Sequence, residues 1–377
     1  MRTLHVAALP FPSSQGTQAL LHQMLCALSA AGHDTHLLCY AHGARVVAPA
    51  YTVHRIAAQS CTRSLRSGPS LDKLRLDASL TRRLAELVRQ LAPAQVVAHH
   101  VEAAASALAL GIAPLTFVAH TSLAAELPVY FPRVFSSLTS RLGRQVDSAL
   151  VRRAARTLAV SPLLASMLSA DSARPVESLP LPWPLAPRRT RLEGIAARAQ
   201  LGLDSRHEVA LYAGNLDGYQ GLDRLLAGLA KLARQRPAFR LLIATAADST
   251  RFASMLEAHA LAARVLFCKL DDEAARRRAH AAADLALVPR RSPGGVPIKL
   301  LDAFARAVPV VAAERALAGL DAVELCRAID GDCAEAWQAA ISAGFDDLAG
   351  AQRRAELARA YVEREHTAER FVAALLR

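Results

Sequence analysis

In the stretch RRSPGGVPIKLLDAFARAVPVVAA (290–313) two arginines, Arg290 and Arg291, precede a Gly294–Gly295 pair, then Lys299 and, three residues later, Asp302. Two adjacent glycines let the backbone come close to a ligand, and a helix starting near Pro297 directs its unpaired N–H groups at the same place. Such an arrangement suits an anion. The spacing favours a nucleoside diphosphate: amides and a cation take the pyrophosphate, while a carboxylate one turn into the helix, Asp302, accepts from ribose hydroxyls. The plainer reading is a helix with a solvated Asp302.

Three further stretches carry the same chemistry more weakly. In LYAGNLDGYQGLDRLL a strand runs into Gly214, then a polar loop with Asn215 and Gln220, then Gly221 and a helix. That is a strand-to-helix turn of the phosphate-binding kind. In PFPSSQGTQ, Gly16 stands where loop amides can approach a substrate, or simply marks a turn. In FVAHTS, His120 lies just past the end of an expected strand, at the rim where α/β sheets bind ligands. It reads equally as a packed structural histidine. The chain has no G-x-G-x-x-G after its first strand, no G-x-x-x-x-G-K-[ST] and no G-x-S-x-G, which argues against dinucleotide oxidoreductases, P-loop enzymes and hydrolases.

The elements that must position these residues alternate. Apolar runs (TLHVAAL, THLLCY, RVVAP, QVVAHH, LTFVAH, RTLAVS) are separated by segments of helical periodicity, and EVALYAG, FRLLIAT, RVLFC, ADLALVP and VPVVAA repeat the pattern in the second half. Strand, helix, strand argues for parallel sheets covered on both faces, hence an α/β class. Between the two series lies ARPVESLPLPWPLAP, whose prolines fit neither a helix nor a central strand. The expected organisation is a domain over 1–175, a Pro-rich linker over 176–190 and a second domain over 191–377, with the terminal helix free to pack back on the first.

At 377 residues, 53% hydrophobic and 5% aromatic, the chain suits two alanine- and leucine-rich domains. Six scattered cysteines form no C-x-x-C pair and no zinc spacing. The opening MRTLHVAALPFP is broken by Pro10 and Pro12 before it could serve for export, so reduced thiols and a cytoplasmic location are expected. The net charge of +12 is uneven: residues 1–180 hold 17 Lys and Arg against 9 Asp and Glu. An anionic membrane surface or phosphorylated substrate accounts for that excess, as does a solvated basic face. Nucleic acid does not fit, because no recognition motif or interleaved aromatic accompanies the charge.

Taken in order, FPSSQGTQALLHQMLCALSAAGHDTHLLCY, AHTSLAAELP, RTLAVSPLLASML, YAGNLDGYQGLDRLL and SPGGVPIKLLDAFARAVPVVAA make the chain resemble, over nearly its whole length, the retaining glycosyltransferases of the GT-B fold, family 4-like. The resemblance implies two Rossmann-like doubly wound domains facing a central cleft. It also implies a UDP- or GDP-sugar donor, no cofactor and no obligatory metal. The family's two signature acids fall on Gly294 and Asp302, and its loop arginine and lysine on Asn215 and Gln220. The charge on the leaving diphosphate is therefore assigned to Lys299, with the amides of Gly294 and Gly295 and with Arg290 or Arg291. His120 is expected to contact the donor sugar. The basic N-terminal half points to a glycan or lipid-linked acceptor, such as a glycolipid or cell-surface polysaccharide precursor, met at the inner face of a membrane. A non-catalytic GT-B protein that binds a nucleotide sugar or a partner transferase is the alternative. A two-domain binding protein of the periplasmic type is disfavoured by the opening sequence.

Overall fold

Strands form where apolar residues run without a break and both faces find cover. The computed structural model describes residues 1–13, 16–43, 50–57, 70–216, 220–246, 250–270, 272–290, 295–318, 320, 323–329, 331 and 333–377. The chain divides into two units. One comprises Met1–Ser13, Thr17–Pro182 and Thr367–Arg377; the other comprises Ser14–Gly16 and Trp183–His366.

The first unit is built on β1 (Arg2–Ala7), β2 (Asp34–Cys39), β3 (Thr52–Arg55), β4 (Gln95–His99), β5 (Leu115–Ala119), β6 (Arg156–Ala159) and β7 (Glu177–Ser178). They pair in the order β3-β2-β1-β4-β5-β6-β7, every pair parallel. The second unit holds β8 (Glu208–Ala213), β9 (Phe239–Thr245), β10 (Val265–Lys269), β11 (Leu285–Val288), β12 (Val310–Ala313) and β13 (Arg327–Ile329), ordered β10-β9-β8-β11-β12-β13 and again all parallel. In each sheet the winding reverses direction beside its first strand, between β1 and β4 and between β8 and β11. Open α/β sheets bind ligands outside the strand ends at such switch points.

Two-sided burial explains why these strands read as unbroken apolar runs. In β8, Ala210 and Tyr212 join the core on one face, with Leu241 and Ile243 of β9, and Val209 and Leu211 join the core on the other, with Leu242 and Ala244. The period of two divides one strand between two cores. Most expected strands are present. RVVAP lies outside the described residues, while β3, β7 and β13 are additions: each has four residues or fewer, and each lies at or beside a sheet edge, where the apolar signal is weak. The terminal helix Ala368–Leu375 ends against the first sheet, where Gln95 and Arg156 donate to the Leu375 carbonyl.

Candidate functional site

The switch point of the second sheet gathers several of the expected residues. β8 ends at Ala213, and Gly214 follows with φ +149°, backbone that L side chains rarely adopt. A β-carbon there would stand 2.9 Å from the Lys299 ammonium, so the conformation favours glycine and a side chain would displace the lysine. Gly221, at φ +73°, opens the helix Leu222–Gln235. From the β11 side the chain reaches Arg290, then the buried Gly295 and the helix Ile298–Ala305, which carries Lys299 in its first turn.

Lys299 Nζ donates to Tyr212 Oη at 3.0 Å and to Gln220 Oε1 at 2.8 Å, and lies 4.2 Å from the centre of the Tyr212 ring. Tyr212 Oη in turn donates to the Asn215 carbonyl, and Gln220 Nε2 to Asn215 Oδ1, both at 2.5 Å. Tyr212, Asn215, Gln220 and Lys299 therefore form one hydrogen-bonded group beside Gly214, and the two amides in the loop orient the lysine. Among the described residues, both oxygens holding the ammonium are neutral. Removal from water, with Arg290 as a second positive charge nearby, pulls the Lys299 amine down to about 7. A buried cation at the strand ends that meets no carboxylate among the described residues is suited to an anion.

Asp302 departs from expectation. Its side chain is buried; Oδ1 accepts from Arg306 Nε at 2.9 Å, while Oδ2 faces Arg276 at 3.3 Å and His280 at 3.7 Å. Burial would raise this carboxyl, but His280, Arg306 and Arg276 outweigh it and hold it below its ordinary value. Instead of waiting open for ribose hydroxyls, the carboxylate fixes the helix Ile298–Ala305 within its unit. Arg291 and Gly294 lie outside the described residues.

Gly16, grouped with the second unit, begins the helix Gly16–Ala30, whose other residues belong to the first. His120, just past β5, is 5% exposed and ends a chain of histidines. His5 Nδ1 lies 2.9 Å from His99 Nε2, and His99 Nδ1 lies 3.0 Å from His120 Nε2. His100, in left-handed backbone at φ +68°, stacks on His120 with centroids 4.4 Å apart. Burial lowers all four, His5 to about 3, so they are neutral near pH 7. Among the described residues, His5 Nε2 is buried and meets no hydrogen-bond partner. A buried N–H left unpaired is the rarer and costlier defect, which leaves that nitrogen bare and puts the His5 proton on Nδ1. The protons then run one way: His5 donates to His99, His99 to His120, and His120 keeps its own on Nδ1.

Sequence reasoning missed Tyr212, His5 and His99. The aromatic hydroxyl next to the end of β8 and the paired histidines of QVVAHH were the available signals. Among the described residues no group of three or more His, Cys, Asp or Glu is placed to hold a metal ion.

Two family models match, one to each half: Glycosyltransferase Family 4 over residues 14–180 and Glycosyl transferases group 1 over residues 195–321. D-inositol 3-phosphate glycosyltransferase of Segniliparus rotundus is 31% identical over 156 residues, which are 39% of this chain and only 34% of that relative's length. Among solved structures, sucrose-phosphate synthase of Thermosynechococcus elongatus aligns over 100% of this chain and 97% of its own, with 18% identity and TM-score 0.84. Anabaena Alr3699/HepE in complex with UDP-glucose aligns over 100% and 99%, with 17% identity and TM-score 0.78. With each half matched by one of the family's models and the fold shared from end to end, the chain belongs to the family 4-like glycosyltransferases of the GT-B fold.

Proposed function

We propose that the protein transfers a sugar from a UDP- or GDP-sugar to an acceptor, with retention of anomeric configuration and without a metal ion. One observation carries this reading: the Lys299 ammonium stands at the C-terminal ends of β8 and β11, held by neutral oxygens and with Arg290 beside it. Cleavage of the anomeric bond puts negative charge on the departing diphosphate. A fixed cation there stabilises the transition state more than the ground state. The amide of Gly295 adds to that field, and the Lys299 and Arg290 charges take the part a metal would otherwise play. His120, with its proton on Nδ1, serves as a hydrogen-bond donor to a sugar hydroxyl. The UDP-glucose in the Anabaena structure is in keeping with a uridine diphosphate donor.

The acceptor in this reading is a glycolipid or cell-surface polysaccharide precursor, reached by a protein working in the cytoplasm at the inner face of a membrane. The excess of positive charge in residues 1–180 supports it. A second reading, a GT-B protein that binds a nucleotide sugar or a partner transferase without turnover, is favoured by Asp302, whose carboxylate is taken up inside its own unit. Calorimetric titration with UDP- and GDP-sugars, followed by an assay of donor hydrolysis, separates the two. Binding with turnover is the expected result. Binding heat without turnover establishes the second reading, and no binding at all defeats the first and leaves only the partner-binding form of the second.

A further inference from the structure

Six large apolar side chains stand exposed within fourteen residues of the first unit: Val129, Phe131, Val134, Phe135, Leu138 and Leu142, with Val134 81% and Leu138 66% exposed. Exposed apolar residues are ordinarily scattered, and a contiguous set marks an interaction surface. Val134 and Phe135 lie on the short 3-10 turn Arg133–Phe135, which leads directly into the helix Ser136–Arg153. On that helix Leu138 and Leu142, four apart, share one face.

The structure holds this face outward. The opposite side of the helix is buried through Thr139, Gly143, Asp147 and Leu150. Gly143 lets it lie against the start of the helix Leu123–Tyr130, where a β-carbon would come within 2.5 Å of the Leu123 carbonyl. Asp147 caps that neighbouring helix, accepting from Ser122 Oγ at 2.7 Å and from the amides of Leu123 and Ala124 at 3.2 Å. The two helices are clamped together, so the apolar tip cannot turn inward.

Charge decides the occupant. Residues 127–153 contain five arginines and a single acid, Asp147, which is buried in the clamp. Arg141, Arg152 and Arg153 are exposed on the same helix as the apolar pair, as is Arg144, which faces Asp171 at 3.3 Å. A two-fold contact between copies would set one arginine cluster against another. An anionic bilayer accepts both features, taking apolar side chains at the headgroup boundary and arginines at its negative surface. We infer that residues 129–142 form a bilayer-docking tip, with the arginines of the helix Ser136–Arg153 meeting anionic lipid headgroups. The inference locates the membrane contact named above and stands whether or not the protein turns over a donor.

Flotation of the full-length protein with phosphatidylcholine vesicles, with and without phosphatidylglycerol, tests it at low salt. The protein is expected to float with the phosphatidylglycerol vesicles and to be released as salt is raised. Leu138→Asp with Leu142→Asp is expected to weaken vesicle binding at least ~tenfold, since it puts charge where the acyl boundary would be. Arg141→Glu alone is expected to weaken it ~fivefold or more. All three side chains are exposed, so both variants keep the parent's melting temperature and nucleotide affinity; that readout separates failure here from failure of the transfer reading. No phosphatidylglycerol-dependent flotation, or flotation unchanged in both variants, overturns the inference. So does a concentration-dependent dimer in light scattering that the double variant dissolves, since the face would then belong to a second copy.

Discussion

The lysine centre of the second unit and the histidine chain of the first occupy comparable places, at strand ends beside the switch point of each sheet, and burial lowers the proton affinity of both. They differ in what partners them. The histidines hydrogen-bond one another in a line and burial keeps them neutral, so their chain disfavours added charge. Among the described residues Lys299 has only neutral oxygens and a second cation for company and titrates near neutrality, which is why the proposed function gives it an anion. Desolvation alone does not mark a ligand site; the missing counter-charge does.

The sharpest way to break this contrast is to remove the amine. Lys299→Ala should lower transfer or donor hydrolysis by two to three powers of ten, since a single preorganised electrostatic contact contributes ~2–4 kcal/mol to a transition state. A rate within a few-fold of the parent would take Lys299 out of this role. Gly214→Ala comes next: strained backbone and a β-carbon against the ammonium should cost ~1–3 kcal/mol of stability in chemical denaturation. It should also weaken nucleotide binding, whereas Gly32→Ala, at φ +81° but with nothing within 4 Å, should affect stability alone.

The pH dependence of binding follows. The folded, empty protein releases the Lys299 proton near pH 7, against 10.5 for an ordinary lysine. If a diphosphate binds only the ammonium form, binding takes up a proton above pH 7, and UDP affinity should fall ~tenfold per unit as pH rises. Calorimetry in buffers of different ionisation heat reads that uptake, and Lys299→Met should abolish the slope. The last effect belongs to the start of the histidine chain. His5 binds a proton less readily folded than unfolded, so its contribution is fully present above about pH 6.5 and is lost as pH falls toward about 3. It should remove up to ~1.4 kcal/mol per pH unit within that window. Denaturant melts at stepped pH, with His5→Phe as the comparison, would expose a flat profile if the contrast is wrong.

Much of the architecture was legible because periodicity is local. The runs EVALYAG, FRLLIAT and VPVVAA, each between helical segments, specify parallel strands whatever the rest of the chain does. The helix over 298–305 was announced by Pro297, and the need for glycine at 214 by its place after a strand. The site was legible in its cations and opaque in its pairings. Lys299 could be placed beside a phosphate, but not upon Tyr212 and Gln220, 87 and 79 residues away. Asp302 looked available because nothing nearby in sequence revealed that Arg276 and His280 lie against it.

By itself, then, the order of residues determined two α/β halves, the positive charge at a strand-to-helix turn, and the apolar and basic residues of 127–153. Tertiary structure alone decided which groups meet a counter-charge and which do not: Asp302 enclosed by cations, His5 joined to His99 across 94 positions, Lys299 meeting no carboxylate among the described residues. The reason is physical. Hydrophobic periodicity is written within a turn or two of chain, whereas hydrogen-bond partners and counter-ions are assigned only when distant strands come side by side and water is driven out between them.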